Sequence, residues 1–161
     1  MISIRQIKPS DNDQVRELIE EIMRDEFVSA QGAYARHDLE NPAAYYSGAK
    51  DIFLVAEKEG RIIGTVAIKE DSPTTALLRR VFVRKEFRGH GYGDMLLRKA
   101  LEFCFDRHYQ NVNFRGTDKM QQALKLCLHQ GFHEEDVVAT DAFKMFVLTK
   151  KLADPSDSQS A

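Results

Sequence analysis

Cysteine is scarce in this chain, long apolar runs are missing, and the net charge is nearly balanced. Only Cys104 and Cys127 occur in 161 residues. Both fall in apparent helices at no metal-ligand spacing, so they read as free thiols and exclude a disulfide framework. No apolar run reaches the roughly 18–20 residues of a membrane-spanning helix, and no signal-peptide pattern opens the sequence. A cytoplasmic protein without a membrane partner is therefore expected. The five histidines do not pair at ligand spacing, so no metal is implied. A net charge of −2 argues against a general nucleic-acid binder.

What remains fits a folded domain. The chain is 43% hydrophobic and 30% charged, enough for one sizeable core. Residues 2–7 alternate as a half-buried strand does. Pro9 and Ser10, with Asp13 three residues after Ser10, mark a helix start. Val15, Leu18, Ile19, Ile22 and Met23 then form one apolar helical face. Residues 28–50 keep no period; Tyr34, His37, Asp38, Tyr45 and Tyr46 lie there, in a loop or short helix long enough to carry function. Strands are expected at 52–57, 61–70 and 76–83, as an antiparallel meander. A helix over 91–107, a strand at 111–114 and a helix capped by Thr117 and ended by Gly131 follow. Met120, Ala123, Leu124 and Cys127 share a face of that helix. Strands at about 132–138 and 143–150 close one domain of residues 1–152. The tail from 153 to 161 lacks apolar residues and is expected to be disordered.

The local charge pattern is sharper than the net charge. Arg79, Arg80, Arg84, Lys85, Arg88 and His90 cluster in twelve residues with one acid, Glu86. Such a run is often a solvated face, but here it coincides with Gly89, Gly91 and Gly93. A helix interior loses about 1 kcal/mol for each Gly relative to Ala, so three together point to a shape requirement. The glycines stand where a β-α-β crossover turns from strand into helix. The helix N-terminus offers unpaired N–H groups and about half a positive charge there. Missing Cβ atoms admit positive φ and close approach of an anion. The turn reads as a phosphate cradle. GHGYGDML satisfies neither the G-x-x-x-x-G-K-[ST] loop nor the G-x-G-x-x-G fingerprint, which sets ATP or NAD aside.

The run LRRVFVRKEFRGHGYGDMLL, residues 78–97, resembles the acetyl-CoA-binding motif of the GNAT superfamily of N-acetyltransferases. That motif is Arg or Gln, two residues, Gly, one residue, then Gly or Ala. Arg88, Gly91 and Gly93 match it, Val81-Phe82-Val83 matches the strand end before it, and LKLCLHQGF at 124–132 resembles the second motif helix with its Gly-Phe. The resemblance runs from residue 2 to about 150. It implies an α+β fold: a mixed, mostly antiparallel sheet flanked by helices, its central parallel pair splayed for acetyl-CoA. It further implies that the backbone of Val81, Phe82 and Val83 holds the pantetheine arm. The N–H groups of Gly89, His90, Gly91, Tyr92, Gly93 and Asp94 would take the pyrophosphate, with Arg88 at the mouth of the turn.

The implied reaction is attack by a neutral primary amine on the acetyl thioester, with an oxyanion donor near Val81. Two departures stand out. Aligned on Gly131-Phe132, Cys127 occupies the place of the Tyr that serves as general acid in relatives; it is a candidate acid but lies on the apolar stripe, where core packing is the ordinary role, with His129 or a nearby tyrosine as substitutes. The Glu that often serves as base is missing from ALLRR, where Leu77 and Leu78 stand. Glu70, Asp71, His37 and Asp38 are alternatives, none of them assigned. A non-catalytic acyl-CoA-binding regulator, and a homodimer formed through the closing strands, also stay open.

Overall fold

A computed structural model describes residues 1–26 and 36–152; Tyr34 and the tail from 153 to 161 lie outside them. Seven strands form one sheet in the order β1-β2-β3-β4-β5-β7-β6. They are β1 (Ile2–Gln6), β2 (Ile52–Lys58), β3 (Arg61–Ser72), β4 (Thr75–Val83), β5 (Asn111–Thr117), β6 (His133–Ala139) and β7 (Lys144–Lys151). The meander of β2, β3 and β4 is antiparallel, as are β1 with β2 and β7 with both β5 and β6. Among the described strands only β4 and β5 run parallel, because a helix carries the chain from one to the other.

The helices are α1 (Asn12–Glu26), α2 (Pro42–Tyr45), α3 (Tyr92–Asp106) and α4 (Gln121–His129). The expected apolar face of α1 is buried at Val15, Leu18, Ile19, Ile22 and Met23. Its start differs from the Ser10–Asp13 reading. Asp11 accepts the Lys8 N–H at 2.7 Å, and a 3-10 turn over Pro9–Asp11 feeds the helix. Thr117 likewise does not cap α4: it is the last, fully buried residue of β5, and Met120 stands at the helix boundary. Leu96, Leu97, Ala100 and Cys104 of α3 belong to the same buried core as Val112 and Phe114 of β5. The irregular segment after the undescribed residues supplies a 3-10 turn at His37–Leu39 and the short α2, whose Tyr46 neighbour is buried against Phe53 at a 5.3 Å ring separation. Every residue of the edge strand β6 is exposed.

Candidate functional site

The centre of the sheet opens where its parallel pair stops. β4 and β5 pair only from Thr75–Asn111 to Leu78–Phe114. Beyond that, β4 continues along β3 to Val83, while β5 continues along β7 to Thr117. The backbone of Val81, Phe82 and Val83 thus flanks the parting. Its local cause is a bulge: β4 takes three steps from Arg79 to Phe82 while β3 takes two from Ala67 to Thr65. An extra residue bends a strand and sends consecutive side chains to one side.

Arg80 is that extra residue, with φ at +56°. The left-handed conformation costs a non-glycine residue about 1–2 kcal/mol, so something must hold it. The Arg80 guanidinium donates to Asp38 from Nε at 2.9 Å and from one terminal nitrogen at 2.5 Å. Tyr46 donates its hydroxyl to the same carboxylate at 2.7 Å. Thr65 Oγ1 donates to the Arg80 carbonyl at 2.7 Å. Asp38 is wholly buried and the Arg80 side chain is 5% exposed. Burial pushes the Asp38 carboxyl up, but the hydrogen bond and charge of Arg80, with Tyr46 and Arg79, outweigh it and hold the group below the usual carboxylate range. Burial drives the Tyr46 phenol the other way, well above its ordinary value. Asp38 is therefore an anion committed to the bulge and poorly suited to take a proton.

Three other base candidates remain, and Glu70 and Asp71 stand away from the parting. Glu70 pairs with Ala76 and Asp71 follows it, at the opposite end of β4 from Val81–Val83. His37 is exposed, its Nε2 3.1 Å from the Tyr45 hydroxyl.

After Val83 the chain makes a 3-10 turn at Lys85–Phe87 and reaches the glycines. Gly89 and Gly91 have φ of +83° and +82°, and a Cβ on either would meet nothing within 4 Å. Backbone handedness, not crowding, requires glycine at both. Gly91 is the residue from which α3 starts, so the N–H groups of Tyr92, Gly93 and Asp94 have no partner within the helix. Gly93 does something different from the expected opening for an anion. It is helical, and a Cβ there would lie 2.7 Å from Leu126 Cδ1; its bareness lets α3 sit close on α4.

A cavity of about 450 Å³ lies between the two helices. The turn from Gly89 to Asp94, excepting His90, lines one wall, with Lys125, Leu126 and His129 of α4 opposite. Asp94 lies 3.5 Å from His129 Nδ1 and 3.3 Å from Gln130 Nε2. His90 is exposed, its ring stacked on Tyr92 with centroids 5.6 Å apart. Arg88 lines the cavity, but its guanidinium is engaged elsewhere. Nε donates to the Val83 carbonyl at 2.9 Å, and the two terminal nitrogens grip Glu26 at 2.7 and 2.8 Å. That fork ties the end of α1 to the glycine turn.

A second cavity of about 130 Å³ is bounded by Ile22 and Glu26 of α1, by Val81, Phe82 and Val83, and by Met120 and Leu126 near α4. Cys127 lines neither cavity. It is fully buried, and burial pushes its thiol up to about 12, as it does for Cys104. Among the described residues no group of three or more His, Cys, Asp and Glu could hold a metal ion, and no helix is long and apolar enough to cross a membrane.

Sequence reasoning missed both ion pairs. Glu26 lies far from Arg88 in sequence, and the Asp38 lock depends on a bulge. One signal was available: Arg79-Arg80 breaks the alternation of β4, as a bulge that sends two neighbours to one face would.

Residues 15–132 match the acetyltransferase (GNAT) family. The chain is 28% identical to an uncharacterised N-acetyltransferase of Schizosaccharomyces pombe over 81% of this chain and 82% of that one. It is 33% identical to the N-acetylaspartate synthetase of Xenopus tropicalis over 64% of this chain, but spans only 39% of that protein's length. A phosphinothricin acetyltransferase of Sinorhizobium meliloti, solved in complex with acetyl-CoA, superimposes with a TM-score of 0.80 at 14% identity, over 95% of this chain and 89% of that one.

Proposed function

The chain belongs to the acetyltransferase (GNAT) family, and on that premise we propose that it transfers an acetyl group from acetyl-CoA to a primary amine by direct attack. One observation carries this reading: the parallel strands part at Arg79, and the freed strand end runs straight into a positive-φ glycine turn that opens a helix. An extended thioester arm needs unpaired strand backbone, and a pyrophosphate needs clustered N–H donors. Here the two stand in sequence, in that order.

The pantetheine arm lies along Val81–Val83, and the pyrophosphate sits on the N–H groups from Gly89 to Asp94. Lys125 adds a cation across the larger cavity. Arg88 acts by holding the Val83 carbonyl and Glu26 rather than by contacting phosphate with its side chain. In the reaction the amine nitrogen forms a bond to the carbonyl carbon, and the oxyanion takes a hydrogen bond from the Val81 N–H. The C–S bond then breaks, the departing CoA sulfur gains a proton, and the ammonium product loses one. Among the described residues Glu26 is the only carboxylate lining the smaller cavity, but its fork with Arg88 makes it a brace. Cys127 packs the core between α4 and the sheet. Residues 1–152 act as one domain.

The reading is tested by following CoA thiol release from acetyl-CoA over a panel of primary amines. Release that depends on both amine and protein supports it. Acetyl-CoA binding without amine-dependent release across the panel would instead favour a regulatory acyl-CoA-binding module.

A further inference from the structure

The bulge that opens the site has a second consequence on the sheet face that carries α1 and α2. Arg79 and Arg80 both turn to Asp38, but one carboxylate does not satisfy two guanidiniums. Asp38 already accepts two hydrogen bonds from Arg80 and one from Tyr46. The nearest approach of Arg79 to it is 4.0 Å, and the Arg79 side chain is 24% exposed. Arg79 makes no hydrogen bond to another described residue.

Across the parting stands another cation. The last parallel pair is Leu78 with Phe114, so Arg79 and Arg115 are the first residues beyond it on their strands, each on the face opposite that pair. They stand where β4 leaves β5, one on each strand. Arg115 is exposed and has no hydrogen bond or ion pair to another described residue. The acids of β6 lie to one side of Arg115. Glu135 accepts from Thr149 Oγ1 at 2.5 Å. Asp136 is in register with Val147, and Val147 with Arg115, which puts Asp136 two strands from Arg115, about 10 Å away. The foot of the opening therefore carries two guanidiniums: Arg79, 4.0 Å from an Asp38 carboxylate already taken up by Arg80 and Tyr46, and Arg115, with no ion pair to another described residue. It lies on the face opposite α3.

We propose that Arg79 and Arg115 select the acceptor, and that the acceptor is an amine carrying a carboxylate. The inference rests on the acetyl-transfer reading. Two forked donors on either side of a cleft match the geometry of a carboxylate, which accepts two N–H bonds in plane. Held there, the carboxylate would present its amine toward the strand segment Val81–Val83. A cationic acceptor such as a polyamine would be repelled from the same place.

The test compares acceptors that differ only in charge: β-alanine and L-glutamate against β-alaninamide and L-glutamine amide, with acetyl-CoA binding measured separately by calorimetry. The carboxylates should exceed their amides in kcat/KM by about ten- to a hundred-fold, the worth of a charge-assisted hydrogen bond. Arg79→Gln and Arg115→Gln should erase most of that preference through KM while leaving kcat and acetyl-CoA affinity near the parent's. Arg79→Lys should restore part of it. Equal turnover of acids and amides, turnover of amides alone, or a preference untouched by both glutamine variants would overturn the proposal while leaving acetyl transfer intact. So would bound acetyl-CoA with no acetylation of either acid. Failure to bind acetyl-CoA at all would instead sink the functional reading beneath it.

Discussion

Replacing Asp38 by Asn should cost this protein much of its stability. The change keeps shape and one acceptor oxygen but removes the charge that faces Arg80. The Arg80 side chain is 5% exposed and Asp38 is wholly buried, so the guanidinium cannot turn to water without dismantling the bulge. Breaking a buried ion pair from one side costs about 3–5 kcal/mol, because the remaining charge is left uncompensated. For a domain of this size each 1 kcal/mol lowers Tm by about 2–4 °C, so the drop should be roughly 6–20 °C. Thermal unfolding followed by far-UV circular dichroism measures it. Adding Arg80→Met to Asp38→Asn should return part of the loss, since no unpaired charge then remains. A Tm within about 2 °C of the parent, under 1 kcal/mol on the same scale, would refute the view that this pair holds the bulge.

Other outcomes follow from the same geometry. Gly91→Ala puts a Cβ on a residue at φ +82° and should lower stability by about 1–2 kcal/mol while weakening acetyl-CoA binding, read by thermal shift with and without ligand. Cys127→Ala should leave turnover largely unchanged; a steep fall in turnover at unaltered acetyl-CoA affinity would restore Cys127 as the proton donor. Acid should unfold the protein through Asp38 and Asp11, both held below the usual carboxylate range. For a depressed pKa the stabilisation is complete above the unfolded value of about 3.9 and fades as pH falls through the folded value. Urea midpoints should therefore stay level from neutral pH to about 5 and decline below about 4. A decline beginning near neutrality would point to other groups.

The strands, the meander and the parallel crossover were legible because each element announced itself locally, whereas the place of β7 between β5 and β6 was not. The meander shows apolar runs in β2 and β3 separated by a Glu59-Gly60 turn, α1 and α3 show stripes at helical spacing, and the glycine turn shows where a crossover enters a helix. The α4 cap was misplaced because Thr117 is a strong capping type, yet its burial in β5 overrides that preference. Gly93 looked like its two neighbours, but its role depends on Leu126, a contact between helices that no local pattern encodes. The irregular stretch around Asp38 and Tyr46 had no period to read. Its buried residues serve one distant strand position, and only the doubled arginine in β4 hinted that such a position existed.

The central claim is that the parted strands and the glycine turn form an acyl-CoA site. Isothermal titration of the purified protein with acetyl-CoA tests it most directly, beside a Gly91→Glu variant shown by circular dichroism to be folded. Saturable binding at micromolar concentrations, abolished in the variant, is the predicted result. No heat of binding from correctly folded parent protein, or equal binding by the variant, would contradict the account.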